Sequence, residues 1–208
     1  MAAFTQAVVE YWYLSIAFVA VSALTVFVCI KASKASKKAR AERNEIISRL
    51  KYENRTRAEF SNLTEEMIAA AAPKKLFDGI ALNLQSKLEK ESDMNAAYEK
   101  LTQPQKYIYA LYYVSVDGAR KLSEFFKMNG KPLTPAAGEA VRLILGCKAW
   151  ELYKKEYDMF DEDNEDISLS RSVTDKYDAE FAAEMPAGNI CVLAADYIKQ
   201  NAAGFIQQ

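Results

Sequence analysis

The chain of 208 residues contains no histidine. That absence removes the commonest general base, the Ser–His and Cys–His nucleophile pairs, and most zinc sites. Glycine (7) and proline (5) are scarce, which favours long uninterrupted helices over turn-rich β structure. The three cysteines, Cys29, Cys147 and Cys191, are far apart and form no CxxC pair. Cys147 and Cys191 fall among apolar helix positions, where a thiol is expected to act as a small buried hydrophobe. No P-loop, GxSxG or GxGxxG occurs, and no pair of carboxylates is fixed in a recognisable cleft. The sequence therefore predicts a protein that is not an enzyme and that has no cofactor and no metal site.

What is present begins with one hydrophobic run. Residues 11–30, YWYLSIAFVAVSALTVFVCI, hold no charge, glycine or proline, and are bounded by Glu10 and Lys31. As a helix the run covers ~30 Å, the thickness of a bilayer's hydrocarbon core. A spanning helix satisfies its own backbone hydrogen bonds, which lipid cannot do for it. A cleaved signal peptide is the poorer reading, because the first ten residues lack Lys and Arg and the run exceeds the usual apolar core.

Net charge is −1, but it is unevenly spread. Lys31, Lys34, Lys37, Lys38, Arg40 and Arg43 follow the run, with only Glu42 against them. The positive-inside rule then places the following chain in the cytosol and the N-terminus outside. Tyr11, Trp12 and Tyr13 would form an aromatic belt at the outer interface, and the basic residues would either set topology alone or also meet anionic lipid. Residues 58–208 carry 17 basic and 24 acidic side chains, a net of −7, so the two parts should face different partners.

The rest reads as all-α: a single transmembrane helix, a helical stalk, then a compact multi-helix domain. The predicted organisation is a short extracytoplasmic segment (1–10), the span (11–30), a basic juxtamembrane stalk (31–72) that can continue the helix unbroken or break near Asn54, and a cytosolic helical domain (73–208). Pro73 suits the first turn of a helix. Leu76, Phe77, Ile80, Leu84 and Leu88 then recur at helical spacing. Thr102 with Gln105 spells a capping box, and Tyr107, Ile108, Leu111 and Tyr112 line one face of the helix that follows. A short helix is expected over 117–128, with Leu122, Phe125 and Phe126 apolar, and is ended by Asn129-Gly130. Thr134 as N-cap and Pro135 open a predicted helix to about Phe160, with Val141, Ile144, Leu145, Leu152 and Tyr153 inward. Two more helices are expected near 174–184 and 187–201, with Tyr177, Phe181, Ile190, Leu193, Tyr197 and Ile198 as core candidates. Tyr107, Tyr109, Tyr112 and Tyr113 could line a pocket, although core packing is the plainer use of such a group, with Tyr109 and Tyr113 the two that could face the surface.

The densest local feature is acidic. Glu156, Asp158, Asp161, Glu162, Asp163, Glu165 and Asp166 place seven carboxylates in eleven residues. An EF-hand loop beginning at Asp161 would need Gly at position 6 and Glu at position 12; Asp166 and Ser172 stand there instead. A solvated helix end and a partner-binding patch both remain open.

The segments LTQPQKYIYALYYV, SEFFKMNG, EAVRLILGC, KYDAEF and DYIKQNAAGF, over roughly residues 93–208, resemble the bacterial DNA-mimic-protein family of helical domains. The features that carry the resemblance are Leu101, Thr102, Gln105, Phe125, Phe126, Asn129, Gly130, Gly146, Tyr197, Ile198, Asn201 and Phe205. Where that family has a Glu-Val-x-Asn-Gly-Gly-Phe stretch, this chain has Val116, Asp117, Gly118, Ala119 and Arg120. The resemblance implies an acidic surface that imitates DNA phosphates and occupies the basic groove of a DNA-binding protein. On that basis the expected partners are the lipid bilayer and a protein, without direct nucleic-acid binding. The expected place is the bacterial inner membrane. The alternative is a structural single-pass protein that assembles with other membrane components.

Overall fold

The computed structural model describes residues 12–118, 121–160 and 171–206. The described residues are almost all helical, and no strand occurs among them. Helix α1 runs Trp12–Glu59 without a break at Asn54. Its apolar side chains lie open: Phe18 is 73% and Phe27 60% exposed, with Val21, Leu24 and Val28 alongside. It is long and apolar enough to cross a membrane, and none of its apolar window is buried within the protein.

The chain divides into two units, Met1–Tyr52 and Glu53–Gln208. The second reaches back beyond the expected boundary at residue 73, because the last turns of α1 carry core residues. Thr56 and Phe60 are buried, and the Phe60 carbonyl accepts a hydrogen bond from the Asn83 amide. Arg57 donates to Gln85 Oε1 at 3.0 Å and pairs with Glu89 at 3.5 Å. Helix α2 (Glu65–Ala70) starts where Thr64 Oγ1 accepts from the Met67 amide at 3.3 Å, and it buries Ile68.

Helix α3 (Pro73–Leu88) is the centre of the unit. Pro73 opens it as expected, and every residue from Leu76 to Leu84 is buried. It packs on the helices Gln103–Val116 and Ala187–Gln200, and Gly79 lets the Phe60 ring approach so closely that a Cβ there would lie 2.5 Å from it. Helix α4 (Met94–Glu99) is capped by Asp93, whose Oδ1 accepts from the Ala96 amide at 3.0 Å. Helix α5 (Gln103–Val116) begins with the expected capping box: Gln105 Oε1 accepts from the Thr102 amide at 3.0 Å, while Thr102 Oγ1 accepts from the Gln105 amide at 3.4 Å. The Thr102 hydroxyl also donates to the Gly204 carbonyl at 3.1 Å, which fixes the closing turn α11 (Ala203–Ile206) and its buried Phe205.

Expectations for residues 117–160 are corrected here. The short helix α6 is Leu122–Met128, and Asp117 caps α5 rather than opening α6. The single helix expected to reach Phe160 is two. Helix α7 (Leu133–Ala140) passes into one wide π turn, Val141–Leu145, and stops at Gly146. Gly146 adopts φ 100° and ψ 173°, a conformation open essentially to glycine alone, and α8 (Cys147–Tyr157) restarts in a new direction. The turn lets Val141, Ile144 and Leu145 as well as Ala149, Leu152 and Tyr153 reach the same core. The Tyr153 hydroxyl closes the pair by donating to the Thr134 carbonyl at 2.7 Å, and Thr134, expected as an N-cap, is buried inside α7. The redirected chain leaves Cys147 exposed, contrary to expectation, whereas Cys191 is buried. Helix α9 (Arg171–Glu184) packs on α8, and α10 (Ala187–Gln200) lays Ile190, Cys191, Ala194, Ala195 and Ile198 into the core.

Candidate functional site

Of the interface residues read from sequence, Lys31, Lys37, Lys38, Arg40 and Arg43 lie exposed on α1 directly after the apolar stretch. Trp12, Tyr13 and Lys34 are on the same helix, and Tyr11 lies outside the described residues. The apolar and basic stretches are thus consecutive parts of one helix, with the ammonium of Lys31 5.6 Å above the Phe27 ring. Such a placement lets a lysine at the end of an apolar stretch bury its stem and keep its charge at the polar edge.

The acidic group divides. Asp161, Glu162, Asp163, Glu165 and Asp166 lie outside the described residues. Asp158 is exposed at the end of α8, paired with Lys154 one turn back. Glu156 does not belong to any acidic surface: it is 1% exposed, and neither carboxylate oxygen has a hydrogen-bond partner. Burial, followed by the negative charge of Asp178, pushes its carboxyl up to about 8, with Lys127 pulling the other way. Asp178 is also buried but fully used. Its two oxygens accept from the Ser123 amide and hydroxyl, each at 2.8 Å, so α9 caps the first turn of α6. The sequence carried a signal for Glu156, because the inward stripe through Ala149, Leu152 and Tyr153 continues to it at helical spacing.

The aromatic group also divides. Tyr107 and Tyr112 pack against the core as partly buried residues, and Tyr112 meets Phe77 edge to face at 6.0 Å. Tyr109, one of the two that could have faced the surface, is buried, and with half-buried Tyr113 it lines a cavity of about 240 Å³. Leu88, Met94, Tyr98 and Leu133 supply further walls, with Asn95, Asn129 and Pro132 at its sides. The Tyr109 and Tyr113 hydroxyls lie 3.2 Å apart, and their rings meet edge to face at 5.1 Å. Tyr98 is 5% exposed, its ring lies 6.0 Å from that of Tyr109, and its hydroxyl has no partner. Burial raises the Tyr98 phenol to about 12 and drives that of Tyr109 upward, helped by the hydrogen bond shared with Tyr113; both stay protonated. Asn129 is held by donating to Asp117 at 3.0 Å and to the Phe125 carbonyl at 2.9 Å. Sequence reasoning gave Tyr98 no role and read Asn129 only as a helix end and a point of the resemblance; the signal for Tyr98 was the Asp93 cap, which places it on a short helix beside α5.

No family model, curated protein or solved structure matches the chain. The resemblance to DNA-mimic proteins rests on spaced single residues, and the structure shows what most of these do. Thr102 and Gln105 cap α5, Phe125, Phe126, Ile198 and Phe205 fill the core, Gly146 makes the break, and Asn201 donates to the Tyr197 carbonyl at 2.9 Å. These are roles in a fold. None of them supplies an acidic surface.

Proposed function

We propose that the chain is a single-pass membrane protein that holds a non-catalytic helical domain on the cytosolic side and offers its acidic surface to a basic protein. The observation that carries the first part is α1: a charge-free apolar stretch, unburied by the protein's own fold, runs directly into exposed basic residues. Leaving Ile16, Phe18, Val21, Leu24, Phe27 and Val28 in water would be costly, at ~25 cal/mol for each Å² of apolar surface, and a bilayer removes that cost. The second part rests on charge. The chain beyond residue 57 carries a net of −7, with Asp158 and the 161–166 segment its densest stretch.

A structural role, in which α1 assembles with other membrane components, has one observation in its favour. Ile46, Ile47, Leu50 and Tyr52 stand exposed beyond the basic stretch. Capture experiments with the full chain separate the two readings. In the first, partner capture weakens steeply with salt, because exposed charges are screened within ~8 Å at physiological ionic strength. Neutralising Asp158, Asp161, Glu162, Asp163 and Glu165 to Asn or Gln abolishes it. Equal capture by wild type and the neutralised variant at low salt rejects the acidic-surface reading.

A further inference from the structure

The cavity beside α4 and α5 combines three features that packing alone does not explain. Its lining residues Leu88, Met94 and Leu133 are apolar, whereas its aromatic walls carry three hydroxyls. Two of these, on Tyr109 and Tyr113, share one hydrogen bond. Each has one proton, so one O–H of the pair is left to donate. The third, on Tyr98, is buried without a partner at all. A buried donor left unsatisfied is destabilising, and an arriving acceptor relieves it.

We propose that this cavity is a binding site for a small neutral ring compound bearing an oxygen acceptor, whose ring lies among Leu88, Leu133 and the tyrosines and whose acceptor receives a hydrogen bond from the spare phenolic O–H. Size supports the class: an apolar cavity of ~150 Å³ holds benzene, so about 240 Å³ holds a six-membered ring with a carbonyl-bearing substituent. Charge supports neutrality. No Asp, Glu, Lys or Arg lines it, and Glu99 and Glu89, whose charges act on Tyr98 and Tyr109, are already paired with Lys106 and Arg57. An anion would find donors here but no free cation among the lining residues. The site is independent of the acidic segment and of the membrane reading.

Benzamide and benzoate, equal in size and differing in charge, are the probes, and ligand-observed NMR titration of the full chain in nanodiscs is the measurement. Benzamide binds with a Kd of about 10 mM or tighter, the affinity that ~0.3 kcal/mol per non-hydrogen atom implies for a molecule of this size. Benzoate binds more weakly. The double variant Tyr109→Phe/Tyr113→Phe keeps both rings and loses benzamide affinity by roughly five- to tenfold, the worth of one hydrogen bond. Asn95→Trp, at an exposed rim position, obstructs the mouth and abolishes binding even if the double variant melts early. The proposal is overturned by no saturable benzamide binding to wild type, by benzoate binding as tightly, or by equal affinity in wild type and Asn95→Trp.

Discussion

Glu156 shows how a single side chain can set a solution property of the whole domain. Its folded pKa lies above the ordinary carboxyl value, so the native state holds this proton more tightly than the unfolded chain does. The stability from the neutral buried carboxyl is complete below pH 4.5 and is lost as pH rises towards about 8. Glu156→Gln removes this dependence and stabilises the protein at pH 9 by more than ~1 kcal/mol, since one pKa unit corresponds to about 1.4 kcal/mol. Urea unfolding at pH 5 and pH 9 measures it, and a wild-type midpoint that does not fall with pH contradicts the assignment. Two glycines make the complementary case for backbone and space. Gly146→Ala places a side chain at φ 100° and costs ~1–3 kcal/mol. Gly79→Ala drives a methyl into the Phe60 ring and destabilises by ~1–3 kcal/mol, outweighing the ~1 kcal/mol that alanine gains in a helix. A shift of either variant's denaturation midpoint to higher urea would show that its neighbourhood relaxes freely.

Elements differ in how much of them is written locally. The capping box of α5 is complete within four residues, and Pro73 marks the start of α3 by itself, so both could be read from the chain alone. The break between α7 and α8 could not. An isolated glycine within an apolar helical pattern is tolerated in many helices, and only the packing of Tyr153 against Thr134 and Gly138 shows why the chain must turn there. The same limit hid Glu156 inside an acidic run, where composition pointed to solvent and helical phase pointed inward. The tyrosine cavity was half legible. Tyr109 and Tyr113 were recognisable as a group, but Tyr98 joins them only through the packing of α4 beside α5. Helix α9 depends on long-range contacts: Asp178 caps α6, and Phe181 is buried in the core. Phe181→Ala should therefore cost ~3–5 kcal/mol. A loss under ~1 kcal/mol in denaturant unfolding would mean that α9 is only loosely attached.

On the scale of the whole molecule, the account joins a basic, apolar helix to an acidic helical unit that begins at Glu53. The acidic residues serve at least two ends: Asp178 and Glu156 are interior, whereas Asp158 is at the surface. Net charge alone therefore overstates what the domain can offer a partner. Whether α1 spans the bilayer, and with which end inside, is read by protease protection. Sealed cells or spheroplasts expressing the chain with a C-terminal tag are treated with protease outside, before and after permeabilisation, and the membrane fraction is washed with alkaline carbonate. The account predicts a tag that stays in the washed membranes, survives external protease and is lost on permeabilisation. Release of the tagged chain by carbonate would show that α1 does not span, and digestion in intact cells would place the domain on the opposite face.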